Sequence, residues 1–312
     1  MRAVLVSVPG DEPRVHTLAD PVPAAGQVVV DMLYAGVNPI DVWIARGELG
    51  SAVPFPHVPG CEGVGTVDDV PVALVAPGLG RGRPGTYAER VVVGAGEFVP
   101  LPAGVDPVQA AGAKTAGLTA LEVLQTGGLT SEDVVLVLGA SGGVGSFAVQ
   151  LAKNAGARVL AHTASAAKSE AVAELGADRV VTAAAPELLA AAVGDDRPTL
   201  VLDGLAGDWT QGAAAAAAEE ARIAVFGTSA DRRLTLDART LYGKRLRVQG
   251  GNRPKPPADV LREDLAGLLS LMAEGRVRVP VTASLPLGAA AQAHASILAR
   301  TALGKIVLSV RD

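Results

Sequence analysis

The glycines at 142, 143 and 145 are the residues whose type and spacing most directly suggest chemistry. They lie in "VVLVLGASGGVGSFAVQLAK", Val134 to Lys153. There an aliphatic run reads as a buried strand and passes straight into a glycine turn. Ala148, Leu151, Ala152 and Ala155 then recur at helical spacing up to Gly156, a helix stop, and a second apolar strand opens at Arg158. Strand, glycine turn, helix and strand is the context in which such a loop cradles a dinucleotide pyrophosphate. Ala140 occupies the usual first glycine of G-x-G-x-x-G, so the motif is a variant. Ala140, Ser141, Gly142, Gly143, Val144 and Gly145 are the expected cradle: glycines let the backbone approach, and the helix presents N–H groups and its positive end to the anion. An ordinary βα turn is the competing reading.

The end of the second strand selects the dinucleotide. A carboxylate there holds a ribose 2′-hydroxyl and repels a 2′-phosphate. The chain instead has His162-Thr-Ala-Ser165, with Lys168 close behind and no acid before Glu170. Thr163, Ser165 and Lys168 suit a 2′-phosphate, so NADPH is the expected cofactor; a merely solvated Lys168 is the alternative.

The rest of the composition excludes several classes. The 312 residues suit two domains, and a net charge of −5 with no basic block argues against nucleic acid. Aromatic residues make up only 3%, too few for base-stacking platforms. Cys61 is the single cysteine, which rules out an internal disulfide and a cysteine-based zinc lobe. No stretch reads as a spanning helix or signal peptide, so a soluble cytoplasmic protein is expected, with no membrane partner.

The elements that must position these residues divide in two. After the glycine loop, apolar runs at Arg179–Thr182, Thr199–Leu202, Arg222–Gly227 and Arg245–Gly250 alternate with Ala-rich helical stretches. This predicts a doubly wound parallel sheet, with Gly227 and Thr228 at its ligand edge. Short runs before it (Met1–Ser7, Gln27–Leu33, Gly63–Val67, Tyr87–Val93), punctuated by Gly and Pro, predict a compact β-barrel-like domain. The tail returns to helix over Ala258–Gly275 and strand over Gly304–Val310.

With these pieces in order, the chain resembles the medium-chain dehydrogenase/reductase superfamily, in particular its zinc-independent quinone oxidoreductase branch. The likeness is carried by "AGVNPIDVWIARG", "VPGCEGVGTV", "GTYAERVVV", "AKTAGLTALEVL", "GASGGVGSFAVQLAK" and "ALGKIVLSV". It implies an α/β protein: a GroES-like β-barrel-type catalytic domain over 1–112 and 256–312, and a Rossmann domain over 113–255. It also implies a homodimer along the edge of the sixth strand. Zinc members place ligands where this chain has Asn38 and Cys61, so no metal is expected. His57, flanked by prolines, is read as a loop residue.

The resemblance further implies Asn38 and Asp41 at the nicotinamide ribose and pocket floor, and Thr115 against the nicotinamide. Each has a plain alternative, a turn for Asn38 and helix caps for Asp41 and Thr115. Trp43 is read either as an aromatic wall or as core, and Lys114 as pointing to solvent. Tyr34 and Tyr87 are read as strand residues. The tyrosine that relatives carry near Leu49 and Gly50 is absent. Without a metal, the acceptor must spread incoming charge itself, as a quinone or an α,β-unsaturated carbonyl does. The expected activity is NADPH-dependent reduction of such an acceptor. A dedicated enoyl reductase of one biosynthetic pathway and a non-catalytic NADPH-binding protein are the alternatives.

Overall fold

The computed structural model describes residues 1–48, 53–251 and 256–311. Leu49 and Gly50, where a family tyrosine is missing, lie outside the described residues. The chain forms two compact units, residues 1–118 with 256–312 and residues 119–255. The division therefore falls six residues after the expected 112/113, within a helix.

The first unit contains β1 (Arg2–Leu5), β2 (Arg14–Thr17), β3 (Gln27–Val37), α1 (Pro39–Ala45), β4 (Gly63–Val67), β5 (Val70–Leu74), β6 (Arg90–Gly94), β7 (Phe98–Pro100) and α2 (Pro107–Ala111). The helix α3 (Lys114–Thr126) starts here and runs into the second unit. That unit continues with β8 (Val134–Val137), α4 (Gly143–Asn154), β9 (Arg158–Thr163), α5 (Ser169–Ala173), β10 (Arg179–Thr182), α6 (Pro186–Val193), β11 (Leu200–Asp203), α7 (Asp208–Ala216), β12 (Arg222–Val225), α8 (Ala238–Gly243) and β13 (Arg247–Gly250). The tail returns to the first unit as α9 (Ala258–Ala273), β14 (Val281–Pro286), α10 (Ala290–Leu298) and β15 (Lys305–Ser309).

In the first unit β3 is the hub. It pairs antiparallel with β6 near its start, with β4 through its middle and with β15 at its end. The sheet runs β14-β15-β3-β4-β5-β7, with β6 off that path. Val30, Met32, Leu74, Tyr87, Val93 and Leu308 fill its core. A large apolar side chain buried in this way is worth roughly 1.5–3 kcal/mol. The register of β3 against β4 shifts between Met32 and Tyr34, a bulge that re-aims the residues leading to Asn38. Tyr87 precedes β6, which opens only at Arg90, because the Tyr87 backbone is paired elsewhere: its N–H donates to Pro59 O and its carbonyl accepts the Val4 N–H. The strand expected over Tyr87–Val93 thus starts three residues later and ends at Gly94.

The second unit is a parallel sheet ordered β10-β9-β8-β11-β12-β13. Its central strands are apolar apart from the buried Asp203 that ends β11, as a sheet covered on both faces requires. The order reverses between β8 and β11, which makes the carboxyl end of β8 the switch point where ligands bind in such sheets. The sixth strand is shorter than expected at its start, since Arg245 turns in a left-handed conformation.

Candidate active site

In the first unit, residues far apart in sequence converge on one buried cluster. Asn38 ends β3 and starts α1 in an extended conformation (φ −131°). Its backbone N–H donates to Asp41 Oδ2 at 2.9 Å, so the carboxylate at the third helical position closes the helix start from within. The Asn38 amide is engaged at both ends: Nδ2 donates to Glu62 Oε1 (2.7 Å), and Oδ1 accepts from Lys305 Nζ (2.6 Å). Lys305 Nζ also donates to Glu62 Oε1 at 2.7 Å and to Val37 O at 3.0 Å. The second Glu62 oxygen accepts the Thr115 N–H at 2.6 Å. Cys61 Sγ lies 3.4 Å from Thr115 Oγ1 and 3.5 Å from Asn38 Nδ2.

Glycine 60 allows this convergence. Its φ of +102° is left-handed, and a Cβ there would fall 2.3 Å from Thr86 Oγ1 and 2.5 Å from the Tyr87 ring. The Cys61–Glu62 turn therefore packs directly on the Thr86–Tyr87 turn, where Thr86 Oγ1 donates to Glu62 O at 2.7 Å.

Burial sets the electrostatics. Glu62 and Lys305 are 0% and 3% exposed and form a closed ion pair. Burial alone would raise the Glu62 carboxyl, but the Lys305 ammonium and three hydrogen bonds hold it below its ordinary range. Asp41 lacks a cation of its own. Burial, reinforced by the Glu62 charge, pushes it up to about 6. Its Oδ2 also accepts from Tyr87 OH at 3.3 Å, while Oδ1 is buried without a hydrogen-bond partner. Burial first, then the Asp41 charge, pushes the Cys61 thiol up to about 12, and Tyr87 rises for the same two reasons.

In the second unit, the glycine loop sits at the carboxyl end of β8. Gly142 N-caps α4, no side chain closes its first turn, and no acid stands there. Such a helix start leaves its amides to an anion. A Cβ at Gly145 would fall 2.4 Å from Gly139 O, so the glycine lets α4 pack against the strand end. At Gly142 a Cβ would meet only Gly139 O at 3.4 Å. The loop stands on His162: its carbonyl accepts the Ala140 N–H at 2.8 Å, and its ring, packed on Trp209, is 3.1 Å from Ala183 O. Ala140 is buried, whereas Ser141, Gly142, Gly143 and Val144 are half-buried. This cradle fits a dinucleotide pyrophosphate.

Two family models match the chain: the alcohol dehydrogenase GroES-like domain over residues 24–103 and the zinc-binding dehydrogenase over residues 143–274. Prostaglandin reductase-3 of Bos taurus is 35% identical over 167 residues, covering 52% of this chain and 44% of that protein. The quinone oxidoreductase of Sus scrofa is 26% identical over 302 residues, covering 93% of this chain and 91% of that protein. The chain belongs to the medium-chain dehydrogenase/reductase superfamily, in its zinc-independent branch.

Membership of this superfamily brings a nicotinamide cofactor. Among solved medium-chain dehydrogenase/reductase structures, one of an NAD-dependent alcohol dehydrogenase matches with a TM-score of 0.91, 29% identity and 100% of both chains. A mycobacterial protein complexed with NADPH matches with a TM-score of 0.86 and 25% identity, covering 99% of each. The chain spans about half the length of the first curated relatives it matches, 44% to 56%. One family description names zinc, but the donors at this site do not fit it. The Asn38 amide is engaged at both ends, and Cys61 is the only thiol in the chain. Among the described residues, no group of three or more His, Cys, Asp or Glu could hold a metal. His57 is buried in a bridge to Val6, as a structural residue.

Of the residues singled out in the sequence of this superfamily member, Asn38, Asp41 and Thr115 share the cluster. Trp43 is half-buried on α1 beside it in sequence, and Tyr34 is half-buried in β3. Lys114 does not point to solvent: it is half-buried, and its Nζ donates to Cys61 O at 3.0 Å, bracing the turn that carries Glu62. Tyr87 is more than a strand residue, since its hydroxyl bonds Asp41. Thr163 ends β9 buried, its hydroxyl accepting the Ser165 N–H at 3.3 Å, while Ser165 and Lys168 are half-buried just beyond. Gly227 packs against Gly204 O, where a Cβ would come within 2.6 Å, and Thr228 is exposed. Sequence reasoning missed Glu62 and Lys305. A charged residue inside "VPGCEGVGTV" and another opening an apolar strand, "KIVLS", were the available signals.

Among the described residues, no helix is long and apolar enough to cross a membrane.

Proposed function

We propose that this chain is an NADPH-dependent reductase that delivers hydride, without a metal, to a quinone or an α,β-unsaturated carbonyl. The carrying observation is the Asn38–Cys61 pair: an amide consumed by Glu62 and Lys305 beside the chain's single, buried cysteine. A simple carbonyl needs strong polarisation to accept hydride, which a metal normally supplies in this superfamily, whereas a conjugated acceptor moves the charge onto a distant oxygen, where a few hydrogen-bond donors suffice. The quinone oxidoreductase and prostaglandin reductase names of the relatives support the same acceptor class.

In this reading Ala140, Ser141, Gly142, Gly143, Val144 and Gly145 hold the pyrophosphate through backbone amides. Ser165 and Lys168 receive a 2′-phosphate, with Thr163 shaping their turn. Gly227 and Thr228 lie on the nicotinamide side. When bound, the nicotinamide supplies the hydride. Asn38, Asp41 and Thr115 form the polar floor, and Trp43 is the wall for a flat acceptor. The first unit is the catalytic domain and the second the cofactor-binding domain. A second copy covers the β13 edge, which otherwise presents unpaired backbone groups.

The test is oxidation of NADPH and of NADH by the purified protein, offered a naphthoquinone and a simple enone in parallel. Preference for NADPH with turnover of either acceptor is expected, and the preferred acceptor separates quinone from C=C chemistry. Tight NADPH binding without turnover of any conjugated acceptor would sink the proposal in favour of a binding protein.

A further inference from the structure

We propose that His162 is a positioning residue of the dinucleotide cradle: its ring nitrogen Nδ1 holds the Gly139 N–H and so sets the turn on which the cradle amides depend. The proposal rests on the cofactor reading of the second unit and adds to it a side chain that acts through the loop.

Gly139 is where the turn is made. The ladder between β8 and β9 ends at the pair Val137 and Ala161, and Gly139 then turns left-handed, with a φ of +70°. Without a side chain, a glycine visits many other conformations unless its peptide groups are tied down. Here both are tied. The Gly139 carbonyl accepts the Gly142 N–H at 3.0 Å, and a Cβ on Gly145 would fall 2.4 Å from the same oxygen. The start of α4 is therefore seated on that carbonyl. The Gly139 N–H donates to His162 Nδ1 in a long bond of 3.4 Å, and the next N–H, of Ala140, donates to the His162 carbonyl at 2.8 Å. Two consecutive amides of the turn thus end on one residue.

The His162 ring is held in place for that task. Its Nε2 is 3.1 Å from Ala183 O, just past β10, and the ring packs on Trp209 of α7 with centroids 4.6 Å apart. A carbonyl only accepts and a peptide N–H only donates, so the ring proton sits on Nε2 and Nδ1 keeps its lone pair. Burial, which pushes His162 below the ordinary histidine range, keeps the ring in this neutral form.

Without the Nδ1 acceptor, the half-buried Gly139 N–H loses its partner, and the turn relieves that cost by leaving this geometry. Binding must then draw it back, and the apparent affinity falls with the fraction of molecules still in the competent turn. Two amide side chains separate the functions of the ring. Asparagine places its Oδ1 where Nδ1 stands, and glutamine places its amide nitrogen where Nε2 stands. His162→Asn therefore keeps the acceptor for Gly139 and loses the donor to Ala183 O, whereas His162→Gln does the reverse. Glutamine is the larger of the two, so it is the better replacement for a residue that only fills space.

NADPH binding followed by nicotinamide fluorescence, with thermal melting alongside, tests the proposal on the full chain. His162→Asn should bind within about twofold of wild type and His162→Gln about tenfold more weakly, a competent fraction of about one in ten. The binding order should hold even though His162→Asn, with the smaller side chain, melts lower. Equal binding by the two variants, or weaker binding by His162→Asn, would overturn the proposal. Hydrogen exchange at the Gly139 amide, with no cofactor present, should follow the same order: slow in wild type and His162→Asn, about tenfold faster in His162→Gln. Should neither variant fold, nitrogen NMR of the wild-type ring, assigned through the His162 amide, decides: a proton on Nε2 is expected, and a proton on Nδ1 would overturn the proposal. A wild type that binds no dinucleotide yet shows this exchange order would defeat the cofactor reading and leave the hold of His162 on the turn standing.

Discussion

The two halves of this molecule make their sites from different material. In the second unit the cradle is backbone: a strand, a glycine turn and an uncapped helix within one local stretch. In the first unit the site is made of side chains from Asn38, Asp41, Glu62, Thr115 and Lys305, the last reaching back 243 positions to its carboxylate partner. A backbone cradle depends on conformation and close approach, so substitution should damage binding or packing selectively. A buried charge cluster depends on balance, and removing one charge strands another. That difference can be probed from the largest expected effect downward.

Lys305→Met should be the most damaging change. It leaves Glu62 buried without its cation, and stranding one member of a buried pair costs about 3–5 kcal/mol. Thermal or urea unfolding would show this, and Glu62→Gln with Lys305→Met together should recover part of the loss. Unfolding indistinguishable from wild type would mean that the pair is not the keystone of the first unit.

Next in size is the pH dependence of stability from Asp41. Its carboxyl rises from 3.8 to about 6 on folding, so the folded state binds the proton more tightly than the unfolded one. The contribution is fully present below pH 3.8 and is lost as pH rises through about 6, a total on the order of 3 kcal/mol. Asp41→Asn should flatten this decline between pH 4 and 7 in denaturant titrations. A wild-type protein that gains stability relative to the variant over that window would contradict the assignment.

The glycine loop gives the smaller, more selective effects. Gly145→Ala drives a methyl into Gly139 O and should cost about 1–3 kcal/mol of stability. Gly142→Ala meets no such obstacle and should leave the melting temperature within about 1 °C, while weakening NADPH binding about tenfold, or 1.4 kcal/mol. Equal loss of stability in both variants would erase the distinction between a packing glycine and a binding glycine.

The same contrast explains what could be read from the sequence. The parallel doubly wound sheet and the position of the cradle follow from local patterns, apolar strand then glycines then helix. In the first unit Asn38, Asp41 and Thr115 were placed from short motifs, but their connection was not. Lys305 opens an apolar strand and Glu62 sits among glycines, and nothing local tells either that its partner lies across the fold. Lys114 was misread because an isolated lysine is normally solvated; its bond to Cys61 O exists only once the Cys61–Glu62 turn packs beside α3. Tyr87 was assigned to a strand by its apolar successors, whereas its backbone pairs with Pro59 and Val4 instead of joining the β3–β6 ladder, and its hydroxyl bonds Asp41.

The central claim is hydride delivery to a conjugated acceptor with no metal at Asn38 and Cys61. It is tested most directly by NADPH oxidation with a naphthoquinone before and after exhaustive chelation, followed by zinc add-back. The account predicts the same rate in all three samples and no zinc retained after dialysis. Activity lost on chelation and restored by stoichiometric zinc would contradict it.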